Sequence, residues 1–258
     1  MKKIVINNTE KKKIDIFTLV TNYNEYSEMV NSAETKGFFG ENINFCYFDN
    51  IKKNDFDAFK AINIALNQSQ ADYIIFCHQD ILFNFDDYTK FKTIMNELEM
   101  LDPLWGVAGN AGKNFNGEMK IRITDPHGKD QKIGLFPEQV ISLDENFLIM
   151  NNKYNLSCSY NLNGYHLYGL DICANAMNLG LNCYVVDFHL THKSGGKIDS
   201  SFLNARKEVI RSYSRRLGVK FFSTTCTEFF VTPYITLSKV LNNKYFYKVY
   251  KILVRNFI

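Results

Sequence analysis

Asp72-Tyr73-Ile74-Ile75-Phe76-Cys77-His78-Gln79-Asp80-Ile81-Leu82-Phe83 is the stretch on which the reading of this sequence turns. Tyr73–Cys77 is a short apolar run, rich in β-branched and aromatic residues, that ends abruptly in polar ones. A strand buried on both faces reads this way, stopping at the carboxyl edge of a parallel sheet. In open α/β sheets, ligands bind at that edge. His78, Gln79 and Asp80 fall there together. An imidazole and a carboxylate held by a rigid strand can position a divalent cation or a ribose.

Working upstream, Ile14–Val20 alternates and then runs apolar, which predicts a first strand ending at Thr21-Asn22-Tyr23-Asn24-Glu25. A helix through Met29 and Val30 follows, up to Gly37. Ile43–Phe48 predicts a second strand ending at Asp49-Asn50. Asp55 or Asn54 can cap the next helix, whose face carries Phe59, Ile62 and Leu66. The order β-α-β-α-β implies a parallel sheet. Three strand ends, carrying Tyr23 and Glu25, then Asp49, then His78 to Asp80, would face one crevice of nucleotide size. No glycine-rich phosphate loop follows the first strand, which argues against a dinucleotide fold and a P-loop enzyme. A pyrophosphate would then need a metal, which Asp80 could hold.

Downstream, Tyr88–Leu101 reads as a helix and Trp105–Gly109 as a strand. Residues 110–139 form a long polar stretch with four glycines and two prolines, which reads as a functional or disordered loop. Val140–Met150 resumes strand character, broken at Asp144-Glu145. Gly164 to Asp171 leads into a helix through Cys173 and Met177 that stops at Gly180, and Leu181–Phe188 reads as a strand followed by His189 and His192. Asp171 at a helix start and His192 past a strand make a catalytic arrangement. Each reads equally as structural: Asp171 as a first-turn acid favoured by the helix dipole, His192 as an ordinary loop histidine.

The 258 residues, 46% hydrophobic and 22% charged, suit one large globular domain with an appendage. The net charge of +3 hides an asymmetry. Residues 1–192 carry 17 Lys and Arg against 24 Asp and Glu; residues 193–258 carry 13 against 3. A basic end implies an anionic partner. Arg206, Lys207, Arg211, Arg215, Arg216 and Lys220 fall on one expected helix. Lys244, Lys248, Lys251 and Arg255 form a basic stripe on another, from about residue 238. That tail suits an anionic membrane surface, or packing of its apolar face on the domain. The acidic first two-thirds argues against nucleic acid. Six cysteines without C-x-x-C spacing read as buried hydrophobes of a reducing cytosol. No apolar run approaches the ~20 residues of a membrane span. The expectation is a cytoplasmic protein, peripheral on the inner face of the membrane if the tail binds lipid.

Together these elements resemble the GT-A glycosyltransferases, in particular the bacterial inverting type, over roughly residues 14–196. Tyr23-Asn24-Glu25 is similar to that family's nucleobase-pocket segment. Asp49 falls where the family has a base- or ribose-binding Asp. His78-Gln79-Asp80 occupies the position of its Asp-x-Asp motif. The segment around Asp144 is similar to the one behind donor sugar and acceptor. His-x-Tyr-Gly-x-Asp (166–171) and His-x-Ser-Gly-Gly (192–196) resemble a subgroup linked to surface polysaccharide assembly, such as capsule or lipopolysaccharide.

The resemblance implies an α/β fold with a mostly parallel central sheet flanked by helices, residues 1–200, and a helical basic extension, 201–258. It implies sugar transfer, hexosyl or N-acetylhexosaminyl, from a UDP-linked donor to a glycan or lipid-linked glycan hydroxyl, with inversion. Asp171 would be the catalytic base. Thr21, Tyr23, Glu25, Asp49, His78, Gln79 and Asp80 would bind the nucleotide, and Asp144 and Tyr168 the substrate. Asp80 and His192 would hold Mn²⁺ or Mg²⁺. His78 in place of the motif's first Asp is a departure. It leaves an alternative, a catalytically inactive nucleotide- or glycan-binding member.

Overall fold

The structure is a computed structural model that describes residues 12–196, 198–216, 218–223, 228–243 and 245–246. It begins with β1 (Ile14–Val20), α1 (Tyr23–Thr35), β2 (Ile43–Asp49), α2 (Ala58–Gln68) and β3 (Tyr73–Cys77). These are the five elements expected from the hydrophobic pattern. α2 is capped by Asp57, not Asp55 or Asn54: the Asp57 side chain accepts from the Lys60 N–H. Asp55 and Phe56 instead donate their N–H groups to Asn50 Oδ1, which fixes the loop before the helix.

Next come β4 (Ile81–Leu82), α3 (Tyr88–Leu101) and β5 (Trp105–Gly109), then β6 (Ala111–Lys113), β7 (Met119–Asp125), β8 (Gly128–Ile133) and β9 (Glu138–Val140). The polar stretch 110–139 is therefore sheet, not loop. Its strands are half exposed and short, so they carry charge on their open faces and lack the apolar signature of buried strands. β10 (Ser142–Leu143), β11 (Phe147–Asn151), α4 (Tyr168–Asn178), β12 (Asn182–Val185) and β13 (Leu190–His192) follow.

The main sheet has the order β2-β1-β3-β11-β5-β12-β9. β2, β1 and β3 are parallel neighbours, as are β5 and β12, while β11 and β9 run against them. The fold is thus α/β with a mostly parallel central sheet flanked by helices. A second sheet, β10-β6-β7-β13-β4 with β8 beside β7, packs on the same core. Ile16 and Ile75 of the first sheet share that core with Ile81, Ile121, Ile123 and Leu190 of the second, and with a fully buried aromatic group of Phe38, Phe83, Phe91, Phe147 and Phe188. Side chains this size each hide 150–250 Å². The core thereby holds the ends of β3, β4 and β13 in fixed register.

One glycine sets the close approach on which the site depends. A Cβ at Gly169, in the first turn of α4, would lie 2.4 Å from the Leu143 carbonyl oxygen. Only a residue without a side chain lets α4 start against the β10–β11 turn.

The chain divides into two compact units, the first ending at Ala205 and the second beginning at Arg206. α5 (Ser200–Arg216) contains that division; β14 (Lys220–Ser223), β15 (Glu228–Val231) and α6 (Ile235–Leu241) complete the second unit. The extension is therefore not wholly helical. Lys220 opens a strand rather than closing a helix, because Phe221, Phe222 and Phe229, Phe230 pair as an antiparallel hairpin. Asn242 clasps this hairpin, accepting from the Phe230 N–H at 2.8 Å and donating to its carbonyl at 2.9 Å. The stripe Lys244, Lys248, Lys251, Arg255 lies outside the described residues.

Candidate functional site

The carboxyl ends of β1, β2 and β3 open onto a cavity of about 280 Å³. Leu19, Thr21, Glu25, Asn50, His78, Gln79, Asp80, Tyr165, Tyr168 and Ser194 are among the residues that line it. Gln79 builds its floor. Its Oε1 accepts from the Thr21 and Asn22 N–H groups at 2.9 and 3.0 Å, and its Nε2 donates to Thr21 Oγ1 and Glu25 Oε2, both at 3.0 Å. One amide thus ties the end of β3 to the start of α1, where Asn22 caps the helix. Gln79, Thr21 and Glu25 are joined as the sequence proposed, but their polar atoms are spent largely on one another.

His78, Asp80 and His192 form the chemical centre. One ligand atom from each lies within 4.8 Å of the others. His78 Nδ1 is 3.2 Å from His192 Nε2, and Asp80 Oδ1 is 3.4 Å from His192 Nε2 and 3.9 Å from His78 Nδ1. Two long-range pairings make this possible. β13 lies antiparallel to β4, setting His192 opposite Ile81. The Lys193 N–H donates to the Asp80 carbonyl at 3.0 Å.

The orientation of His78 follows from Tyr168. The Tyr168 hydroxyl donates to the Glu145 carbonyl at 3.2 Å, so its oxygen accepts from His78 Nε2–H at 2.9 Å. That leaves the Nδ1 lone pair of His78 facing Asp80 and His192, the arrangement in which a metal-binding imidazole is held by a partner on its other nitrogen. Burial, and then the neighbouring His192, push the His78 pKa down, which favours the neutral, ligating form. Burial alone would raise the Asp80 carboxyl. The bonds from His192 and Ser194 and the His192 charge outweigh it and hold Asp80 well below the usual carboxylate range. Two imidazole nitrogens and an ionised carboxylate fit a divalent cation of borderline character.

The turn Asp144–Asn146 walls the centre. The His78 N–H donates to the Asn146 carbonyl at 3.0 Å, and β11 leaves this turn antiparallel to β3 with Phe147 opposite Cys77. Asp144 is exposed, anchored through Oδ1 by the Asn146 N–H and side-chain amide, and its charge acts on His78. Glu145 accepts from the N–H groups of Leu167, Tyr168 and Gly169 at the start of α4. Burial, and then Asp144, nevertheless push Glu145 from 4.5 up to about 8. The folded state therefore binds this proton more tightly than the unfolded chain. Stability from this group is full below about pH 4.5 and is lost as pH rises through 8. Urea titrations across that window should show falling stability, and Glu145→Gln should flatten the slope; an unchanged slope would remove this carboxyl as its source.

Three expected residues stand elsewhere. Tyr23 is 54% exposed and packs on Tyr26 and Tyr47, not on the cavity wall. Asp49 is exposed, with Oδ1 accepting from the Ile51 N–H, and its neighbour Asn50 lines the cavity instead. Asn50 continues the ladder beyond β2 through its N–H to the Val20 carbonyl, and strand alternation turns it, rather than Asp49, inward. Asp171 is fully buried and does not line the cavity. Its oxygens accept from the Ser159 N–H at 2.6 Å and the Ser159 hydroxyl at 2.5 Å, and Asn175 Nδ2 adds a contact at 3.3 Å. This corrects the catalytic base: an acceptor hydroxyl has no access to Asp171, whose work is to fasten the 157–162 loop to α4. His78, expected at the nucleotide, joins Asp80 and His192 in the candidate cation set, and Asn50 and Ser194, which sequence reasoning missed, enter the wall.

No model of a known protein family matches the chain. Among solved structures it is similar to A197 from STIV, with a TM-score of 0.43 and 12% identity over 72% of this chain and 86% of that one. It is also similar to the mannosyltransferase PcManGT from Pyrobaculum calidifontis in complex with GDP-Man and Mn²⁺. There the TM-score is 0.49 and the identity 10%, over 81% of this chain and 66% of that one. In sequence it is 33% identical, over 206 residues, to the Fuscovulum blasticum protein named ATP synthase subunits region ORF 6, covering 78% of this chain and 83% of that protein. At that identity and coverage, the chain belongs to the same family as this Fuscovulum blasticum protein.

Proposed function

We propose that this chain is a glycosyltransferase that moves a sugar from a nucleotide diphosphate donor, with UDP-sugars the first candidates, to a hydroxyl of a glycan or lipid-linked glycan, with inversion. The observation that carries the reading is the convergence of His78, Asp80 and His192 beside a cavity at the carboxyl edge of β1, β2 and β3. That is where open α/β sheets bind nucleotides. The motif resemblance over residues 14–196 supplies the reaction type. At about 280 Å³ the cavity is at the small end of ligand pockets, which suits the ribose and pyrophosphate end of a donor.

His78 Nδ1, His192 Nε2 and Asp80 Oδ1 would hold Mn²⁺ or Mg²⁺. A cation bound there supplies neutralising charge for the departing diphosphate. Thr21, Asn50, Gln79, Tyr165 and Tyr168 line the cavity and would contact the donor. The acceptor oxygen attacks the anomeric carbon as the bond from that carbon to the diphosphate oxygen breaks. One displacement inverts the configuration, and the acceptor proton passes to a carboxylate. Asp144 is the exposed acid on the turn beside His78, and we assign it that role in place of Asp171.

The test is a thermal-shift screen of UDP- and GDP-sugars with and without Mn²⁺, followed by product analysis with the stabilising donor. A ligand at 100 times its Kd stabilises by about 2.7 kcal/mol, which a melting curve resolves. Stabilisation that requires Mn²⁺, with transfer to a glycan, is the expected result. If no nucleotide sugar shifts the midpoint with or without the cation, the reading fails. With a donor in hand, Asp144→Asn should lower the transfer rate about 10²–10⁴-fold and leave donor affinity unchanged. An unaffected rate would remove Asp144 as the base.

A further inference from the structure

The second unit is too basic and too apolar on its surface for a simple solvated appendage. From Arg206 onward the sequence holds 11 Lys and Arg against Glu208 and Glu228. Among the described residues Arg206, Lys207, Arg211, Arg215, Lys220 and Lys239 are exposed, and Arg211 pairs with Glu208 at 3.6 Å. The same unit exposes large aliphatic and aromatic side chains. Tyr234 is 69% exposed and Ile235 76%; Val219, Val231 and Val240 are each about half exposed. These flank the hairpin and α6, which Asn242 joins, so Lys220, Lys239 and the apolar groups share one piece, and α5 carries Arg206, Lys207, Arg211 and Arg215.

We infer that this unit docks on the anionic face of a lipid bilayer. Cations next to a membrane gain from the negative surface potential within a Debye length. Exposed Tyr, Ile and Val of the same unit gain from the boundary between headgroups and acyl chains, where amphipathic elements bury their apolar face. Nucleic acid would satisfy the cations and leave Ile235 and Val240 in water. An acidic protein surface would do the same. No described helix is long and apolar enough to cross a membrane. The inference does not depend on sugar transfer, because none of its residues lines the cavity.

The full chain is mixed with sedimenting vesicles of phosphatidylcholine, or of phosphatidylcholine with about one third phosphatidylglycerol, with no nucleotide sugar present. Binding to the anionic vesicles alone, released by about 0.5 M salt, is the expected result. Replacing Arg206, Lys207, Arg211 and Arg215 by Gln should weaken it at least about tenfold. Ile235→Ser with Val240→Ser should weaken it as well, while the melting temperature stays put because all six side chains are exposed. Equal binding to neutral vesicles, no binding to either, or a quadruple variant that binds as before would overturn the inference. So would an oligonucleotide that binds more tightly than the vesicles and ignores the Ile235/Val240 pair.

Discussion

Asp80→Ala is expected to lower Mn²⁺ affinity about 100-fold or more and sugar transfer about 10³-fold, with the fold intact in the absence of metal. Asp80 is the sole carboxylate among His78, Asp80 and His192, so its loss leaves two imidazole nitrogens to face a divalent ion. Loss of a partner that merely orients a ligand costs 10–100-fold in metal affinity, and loss of a ligand costs more. The transfer loss follows because charge developing on the diphosphate would have no counter-ion, and a single group of this kind is worth about 10²–10³ in rate. Tyr168→Phe should fall between wild type and Asp80→Ala, since it removes only the oxygen that accepts from His78 Nε2–H. Calorimetric titration with Mn²⁺ reads the first effect and donor turnover the second. Wild-type Mn²⁺ affinity in Asp80→Ala would show that the triad is not the cation site.

Asp171→Ala is expected to destabilise the first unit by about 3–5 kcal/mol. The carboxylate is fully buried, and its removal takes away the acceptor of the Ser159 N–H and hydroxyl, while Asn175 keeps its bond to the Ser157 carbonyl. Each buried donor left unsatisfied costs about 1–3 kcal/mol, and the cavity adds to that. For a domain of this size the melting temperature should drop by roughly 10 °C. The result separates the two roles open to this residue in the sequence. A catalytic base can be replaced by Asn with little loss of stability and near-complete loss of rate. A buried staple gives the reverse weighting, with stability lost first and donor binding surviving in the folded fraction. An unchanged urea midpoint in Asp171→Ala would return Asp171 to the list of candidate bases.

The parts of the fold legible in the sequence were those whose signal is local. β1, β3, α3 and β5 lie where periodicity put them, because a buried strand or an amphipathic helix must write its environment into neighbouring residues. The stretch 110–139 was not legible for the opposite reason. β7 and β8 expose polar faces, and β9 forms only by pairing with β12, some 40 residues on, so nothing adjacent in the chain announces it.

The site divides the same way. That an imidazole and a carboxylate stand together at the end of β3 was readable from Tyr73–Asp80 alone, since an apolar strand that stops in His-Gln-Asp sets both at a sheet edge. Which distant residues meet them was not. The β13–β4 pairing brings His192 to His78 and Asp80, and the Tyr168 hydroxyl chooses which His78 nitrogen faces them. One step along the pleat exchanges Asp49 for Asn50 at the wall, and a helix that starts against Leu143 sends Asp171 into the core rather than the cavity. The sequence by itself determined the α/β scaffold and the chemistry at one strand end, because both are encoded by contiguous residues. Tertiary structure alone decided the membership of the site, because side-chain direction at a sheet edge depends on register and packing with segments far away in the chain.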